Sequence, residues 1–425
     1  MNIFFAAILC INLFSPYISS WMVGILPFPP GAILRDVLNA LFVLSVLLRF
    51  VIDRKKSPVS LIFTIFVWIA LISWVAALII FSYDKVQAIM GARSYILFPA
   101  VFISLAILNV SYPESLNVKK IVVYIILLMS AVAVISIIDV LMKGEFVKLL
   151  GYDEHYAGDQ LNLINSYDGM IRATGGFSDA LNFGYMLALG ILLCMECFSQ
   201  GYKRTWMLIV SLVIFTAICM TLTRGAILVA VIIYAFYIIS NRKMLLSGIT
   251  LFVIFIPILV VSTNIFDNYI DTLVGRFTDS SQSSRGSTQG RIDMAINSLS
   301  YLSEHPSGIG LGTQGSGNML SEKDNRLNTD NYFFWMALET GIVGLFINMF
   351  YMASQFYSSV FLDKKYGSHR NYTHLRIYFL LGVAFFISAA LSSAPSSSTF
   401  SIFYWSVLAL IPFLNLTNNR FNTNE

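Results

Sequence analysis

Residues 59–81 read VSLIFTIFVWIALISWVAALIIF, without one charged side chain. A helix needs about 20 apolar residues to cross the hydrocarbon core of a bilayer, and this run supplies them. Arg54, Lys55 and Lys56 stand just before it. Short basic segments flanking a span mark the cytoplasmic side, so the stretch reads as a membrane helix entered from the cytoplasm.

The same pattern recurs outward in both directions. The chain has 425 residues, of which 57% are hydrophobic and only 12% charged. A soluble domain carries about 25% charged residues, so that class is excluded. The formal net charge of +4 carries no nucleic-acid reading, because in such a chain the position of each Lys and Arg matters more than the sum. Spans are expected at about 2–21, 31–50, 59–81, 94–110, 120–142, 179–199, 205–222, 224–241, 245–263, 331–358, 374–392 and 399–417. That makes an all-α integral membrane protein of about twelve transmembrane helices, a single polytopic domain over 1–425 with no internal repeat. The first run lacks a basic leader and a small-residue cleavage site, so it reads as a retained span.

If the spans alternate, every short basic segment falls on one side: Arg54–Lys56, Lys119–Lys120, Lys203–Arg204, Arg242–Lys243, Lys364, Lys365 and Arg370, and Arg420. Both termini are then expected in the cytoplasm. The opposite side receives two long loops, about 143–178 and 264–330; loops of that length are functional or disordered more often than not. Within the second, Asp279 to Gly290 reads as a flexible linker and Asp293 to Ser303 as a short surface helix. Cys10, Cys194, Cys197 and Cys219 all lie in apolar runs. No disulfide is expected, and the CxxC around Glu196 reads as helix packing rather than a redox or zinc motif.

The arginines on the outer side are the informative exceptions: Arg35, Arg93, Arg172, Arg224, Arg276, Arg285, Arg291 and Arg326. Arg224 sits in Leu222-Thr223-Arg224-Gly225, where two spans meet with almost no loop. A cation beside hydrocarbon needs a partner or a wet cavity. A helix N-terminus attracts anions, and a guanidinium grips phosphate bidentately, so a shared anionic ligand suits the place. Arg93 and Arg224 read as lacking protein partners. For Arg35 and Arg326 the plainer reading, snorkelling to lipid phosphates or pairing with an acidic loop residue, is favoured.

Four patterns in order resemble the O-antigen polymerase and ligase superfamily of bacterial membrane glycosyltransferases. They are Arg172-Ala173-Thr174-Gly175-Gly176-Phe177 with Asn182-Phe183-Gly184; Thr221-Leu222-Thr223-Arg224-Gly225-Ala226; Gly290-Arg291 with His305-Pro306 and Gly308-Ile309-Gly310-Leu311-Gly312; and Asp330-Asn331 followed by Gly341-Ile342-Val343-Gly344. The likeness covers about residues 90–350. It implies a helical membrane fold like the C-type (GT-C) glycosyltransferases, in the bacterial inner membrane. It implies transfer of undecaprenyl-diphosphate-linked glycan to a sugar hydroxyl on the periplasmic face, with no nucleotide sugar, metal or cofactor. Membrane lipid surrounds the protein, and a chain-length regulator becomes a candidate partner. By position, the family's arginines correspond to Arg172, Arg224 and Arg291.

The expected site therefore has Arg224, Arg291 and Asp330 in catalysis, with Arg172, Arg93 and Asn331 joining the first two in holding substrate and its diphosphate. In the ligase branch the fourth motif opens on His; Asp330 in its place favours a polymerase over a ligase acting on lipid A core. Asp330 is either the base for the acceptor hydroxyl or a helix N-cap, or both. His305 is a second base candidate, though Pro306 and the glycines after it favour a turn. That glycine-rich stretch is expected to let the outer loops close over the glycan. His155 fits no motif. A transporter or flippase is the main alternative outside the enzymes; the polar mass in outer loops rather than in mid-span argues against it.

Overall fold

The computed structural model describes residues 2–22, 30–55, 57–146, 166–167, 170–175, 179–240, 282–314, 329–366 and 373–414. Their helices are α1 (Asn2–Met22), α2 (Pro30–Ile52), α3 (Val59–Phe81), α4 (Lys85–Ser111), α5 (Val118–Leu141), α6 (Ala180–Ser199), α7 (Arg204–Met220), α8 (Arg224–Ser240), α9 (Gln282–Glu304), α10 (Tyr332–Tyr366), α11 (Thr373–Leu391) and α12 (Ser398–Leu410). Between α5 and α6, strands β1 (Ser166–Tyr167) and β2 (Met170–Ile171) pair antiparallel with Ser166 opposite Ile171. Among the described residues, six helices are long and apolar enough to cross a membrane and five shorter apolar helices accompany them. The fold is thus that of a multi-pass helical membrane protein. The span expected at 245–263 lies outside the described residues.

Two helices start well before the expected residue. α4 begins at Lys85 rather than near residue 94, because Asp84 caps it by accepting from Gln87 N–H at 3.0 Å. α9 begins at Gln282, so the linker expected over 279–290 is helical from that residue on.

α6 is the central helix, with every residue from Phe183 to Phe198 buried. It packs on α5, α7, α8, α11 and α12. With lipid as apolar as leucine, helices in a membrane associate through close packing and side-chain hydrogen bonds, each contributing roughly 0.6 kcal/mol. Asn12 of α1 and Asn39 of α2 bond each other reciprocally at 3.1 Å. Thr64 of α3 and Ser358 of α10 meet at 2.6 Å, and Ser358 donates to the Ser60 carbonyl at 2.7 Å.

One end of the bundle gathers basic segments. Asn117 N–H donates to Asn2 Oδ1 at 2.7 Å, and Lys119 Nζ lies 4.8 Å from the Tyr202 ring. Nearby, fully buried Glu196 accepts from Tyr237 at 2.6 Å and Gln200 at 2.8 Å, and pairs with Arg376 at 3.2 Å. This network ties α6, α8 and α11 together. Cys194 and Cys197 beside it are buried and free, packed within the helix as the sequence suggests.

α10 is not one straight rod. Gly341 has φ 74° and ψ 173°, a combination open essentially to glycine alone. The chain after α9 fills the break. Ile309 N–H donates to the Leu338 carbonyl at 2.6 Å, and Ile342 N–H to the Pro306 carbonyl at 2.9 Å. Gly308, at φ 79°, lies so close that a Cβ there would sit 2.5 Å from the Leu338 oxygen. Trp74 Nε1 of α3 donates to the Thr340 carbonyl at 3.1 Å. The glycine-rich stretch is therefore docked by backbone hydrogen bonds, not loose as expected.

Candidate functional site

The site forms at the other end of the bundle, where α7 turns into α8. Thr221 closes α7, Leu222 takes a left-handed φ of 53°, and Arg224 opens α8. A left-handed leucine costs on the order of 1–2 kcal/mol, so the turn needs support. Arg172 gives it. Its Nε donates to the Thr221 carbonyl at 2.8 Å and its Nη2 to Thr223 Oγ1 at 3.1 Å. Ala173 N–H adds a bond to the Met220 carbonyl at 3.0 Å. A guanidinium at the C-terminal end of α7 satisfies orphan carbonyls and complements the helix dipole. Arg172 is thus a brace that fixes where Arg224 stands.

Arg224 is the first residue of α8 and half-buried. Gly225, behind it, makes room for α6, since a Cβ there would lie 2.0 Å from the Tyr185 hydroxyl. Tyr185 in turn lies in the electrostatic field of Arg291 and Asp179. Arg291 of α9 pairs with Asp330 at 3.4 Å, with 35% and 47% of the two side chains exposed. Asp179, the N-cap of α6, accepts from Leu181 N–H at 2.9 Å and feels both Arg172 and Asp330. Burial pushes the Asp179 carboxyl above its ordinary range, while the Leu181 N–H and Arg172 pull it down and Asp330 pushes it up. The structure therefore brings Arg172, Arg224, Arg291 and Asp330 into one neighbourhood, with Asp179 and Tyr185 among them.

Asp330 does not cap α10. Asn331 does: its Oδ1 accepts from Phe333 N–H at 2.9 Å and Phe334 N–H at 3.2 Å. Its Nδ2 donates to the Ala390 carbonyl of α11 at 2.9 Å. The capping alternative for Asp330 falls, because the adjacent amide already satisfies those orphan donors. Asn331, expected to hold substrate, has both ends of its side chain engaged in structure.

Arg93 is corrected as well. Its Nη1 lies 2.6 Å from Asp36 Oδ2, while Asp36 Oδ1 pairs with Arg35 at 2.9 Å. It is a paired residue joining α2 to α4, and Arg35 in the same group pairs with Asp36, its neighbour in α2 rather than a loop residue. Arg224, too, has an interaction of its own and is not a bare cation. His305 is exposed, closes the turn after α9 and lies 4.6 Å from the Tyr301 ring. At 1.5 Å rise per residue it stands about 20 Å along α9 from Arg291, too far to share its chemistry. His155 lies outside the described residues.

Sequence reasoning passed over Asp179, Tyr185 and Glu339. The first follows directly on the arginine motif and precedes a span, which is an N-cap signal. Glu339 is a carboxylate within an apolar run two residues before Gly341, and intramembrane carboxylates are conspicuous. Among the described residues, no three His, Cys, Asp or Glu side chains converge as metal ligands.

What the cluster can do chemically is hold an anion between a helix N-terminus and two guanidinium groups, next to an accessible carboxylate. Residues 209–349 match the family described as O-Antigen ligase. A Salmonella muenchen protein named O-antigen polymerase is 78% identical over 395 residues, which is 93% of this chain and 99% of that one.

Proposed function

Since the chain belongs to the O-antigen polymerase family, we propose that its cluster of Arg224, Arg291 and Asp330 joins lipid-diphosphate-linked glycan to a lipid-linked repeat unit. The protein is a polysaccharide-polymerising glycosyltransferase of the membrane. The acceptor sugar hydroxyl attacks the anomeric carbon of the donor. A glycosidic C–O bond forms, the bond to the undecaprenyl diphosphate breaks, and the diphosphate leaves with the electron pair. Negative charge grows on that leaving group, where Arg224, the α8 N-terminus and Arg291 stabilise it. Asp330 takes the hydroxyl proton. Arg172 acts by holding the turn that carries Arg224.

The single observation that carries this reading is the Arg291–Asp330 pair. An accessible carboxylate 3.4 Å from a guanidinium supports the reading of a base beside a cation for the diphosphate. The pair lies at the end of the bundle opposite Lys119 and Lys203, which agrees with a periplasmic site and cytoplasmic termini. A chain-length regulator is the partner such a reaction invites, and its presence would narrow the product lengths.

The test is reconstitution of the purified protein with lipid-linked repeat units, EDTA present and nucleotide sugar omitted. A ladder of repeat lengths on a gel is expected. Sugar appearing only on added lipid A core would overturn the polymerase reading in favour of a ligase. Movement of lipid-linked sugar between leaflets without any product would favour a transporter.

A further inference from the structure

Glu339 of α10 is 1% exposed, and nothing in the reaction above uses it. Both of its oxygens are engaged. Tyr95 of α4 donates its hydroxyl to Oε2 at 2.7 Å, and Gln314 N–H donates to Oε1 at 2.9 Å. Gln87 of α4 holds the same stretch, donating Nε2 to the Gly312 carbonyl at 3.1 Å. A carboxylate out of water is costly unless each lone pair finds a donor. Here each oxygen finds one, and one of the donors is the backbone of the segment that follows α9.

That segment decides where α9 sits. From Arg291 onward α9 runs parallel to the first part of α10 and is fastened to it at two places. Near its middle Arg291 meets Asp330. At its C-terminal end Leu302 packs on Ala337 and Leu338, and residues 306–309 fill the break at Gly341. Between these places Ile292, Ile296 and Leu299 are exposed, while Ser298 on another face of α9 is fully buried. The fastening at Gly341 ties the C-terminal end of α9 to α10 through backbone hydrogen bonds, and Glu339 links the same segment to α4.

We infer that Glu339, with Tyr95, is a positioning residue for the reaction proposed above: it fixes the 305–314 segment and, through α9, the place of Arg291. It is not a catalytic residue, since its burial keeps it from any reactant. The inference rests on the polymerase reading for its kinetic part and on geometry alone for its distance part. A displacement of about 1 Å at a reacting group can cost on the order of 100-fold in rate.

The experiment has two readouts on reconstituted full-length protein. For distance, spin labels are placed at Ile292→Cys on α9 and Phe346→Cys on α10, with the four native cysteines replaced. Glu339→Gln, which keeps the volume and loses one acceptor, should broaden or shift the label distance, and Tyr95→Phe should do so to a smaller degree. For rate, Glu339→Gln should lower kcat for ladder formation about 10-fold to 100-fold, with KM for the repeat unit within about twofold. Combined with Arg291→Lys it should lose no more than the weaker single variant already does. An unchanged distance distribution in Glu339→Gln overturns the inference whatever the activity. So do losses that multiply with those of Arg291→Lys. Should Glu339→Gln fail to reach the membrane, Tyr95→Phe decides by the same two readouts. If the distances shift while the unmodified protein makes no ladder, the polymerase reading fails and the positioning stands.

Discussion

Arg291 Nε and Asp330 Oδ2 stand 3.4 Å apart across 39 residues of chain, with both side chains open to water. Such an exposed pair adds only about 0–1 kcal/mol to stability. Its replacement should therefore separate chemistry from folding. Asp330→Asn is expected to cut polymer formation by about 10²–10⁴-fold if Asp330 is the base, and Arg291→Ala by about 10²–10³-fold through lost charge stabilisation. Thermal unfolding of both variants should stay close to the parent. A wild-type ladder from Asp330→Asn at equal protein level removes the base from the mechanism.

Asn331 should behave in the opposite way. Replacing it with Ala removes the cap of α10 and the tie to Ala390, and a lost cap costs about 1 kcal/mol. Unfolding in detergent should begin earlier. Asn331→Ser, which restores the cap but not the tie, should recover part of the difference. Asn331→Ala with parental stability and no product would instead return this residue to the list of substrate contacts.

At the far end of the bundle, Arg376→Ala leaves Glu196 fully buried with only neutral donors. Breaking a buried pair from one side costs about 3–5 kcal/mol, so the variant should be strongly depleted from the membrane. Replacing both residues by apolar ones of similar volume should restore most of that level. Equal depletion in the single and double variants would show that the pair is not what holds α6 to α11.

Asp179 carries a pH prediction. Burial raises its folded carboxyl above the unfolded value of about 3.9, so ionisation is harder in the folded protein. The stability it contributes is whole below the unfolded pKa and is lost as pH rises through the raised folded value. Asp179→Asn keeps a good cap and cannot ionise. The variant should therefore gain stability relative to the parent as the pH climbs from about 4 through that value. A stability difference independent of pH over that range would remove Asp179 from the titrating groups.

Much of this molecule is local and can be read in order along the chain. The runs at 59–81 and 118–141 are apolar over lengths that only a lipid-facing or buried helix can use, and hydrophobicity acts on each run where it stands. Arg224 follows a two-span junction, so its place at a helix N-terminus needs no knowledge of neighbours. Partners are another matter. Arg93 reads as a lone cation until α2 packs on α4 and brings Asp36, 57 residues distant, to its guanidinium. Asp330 and Asn331 are both good caps by composition, and only the path of the chain into α10 gives that task to Asn331 and turns Asp330 towards Arg291. The glycines after Pro306 read as slack because glycine is permissive in isolation. Packed into the break at Gly341, the same permissiveness lets two backbones touch and hydrogen-bond. Sequence determined what each segment is, because solvent transfer and helix ends are local. Tertiary structure decided which polar group meets which, because a hydrogen bond or ion pair exists only once packing has set its distance.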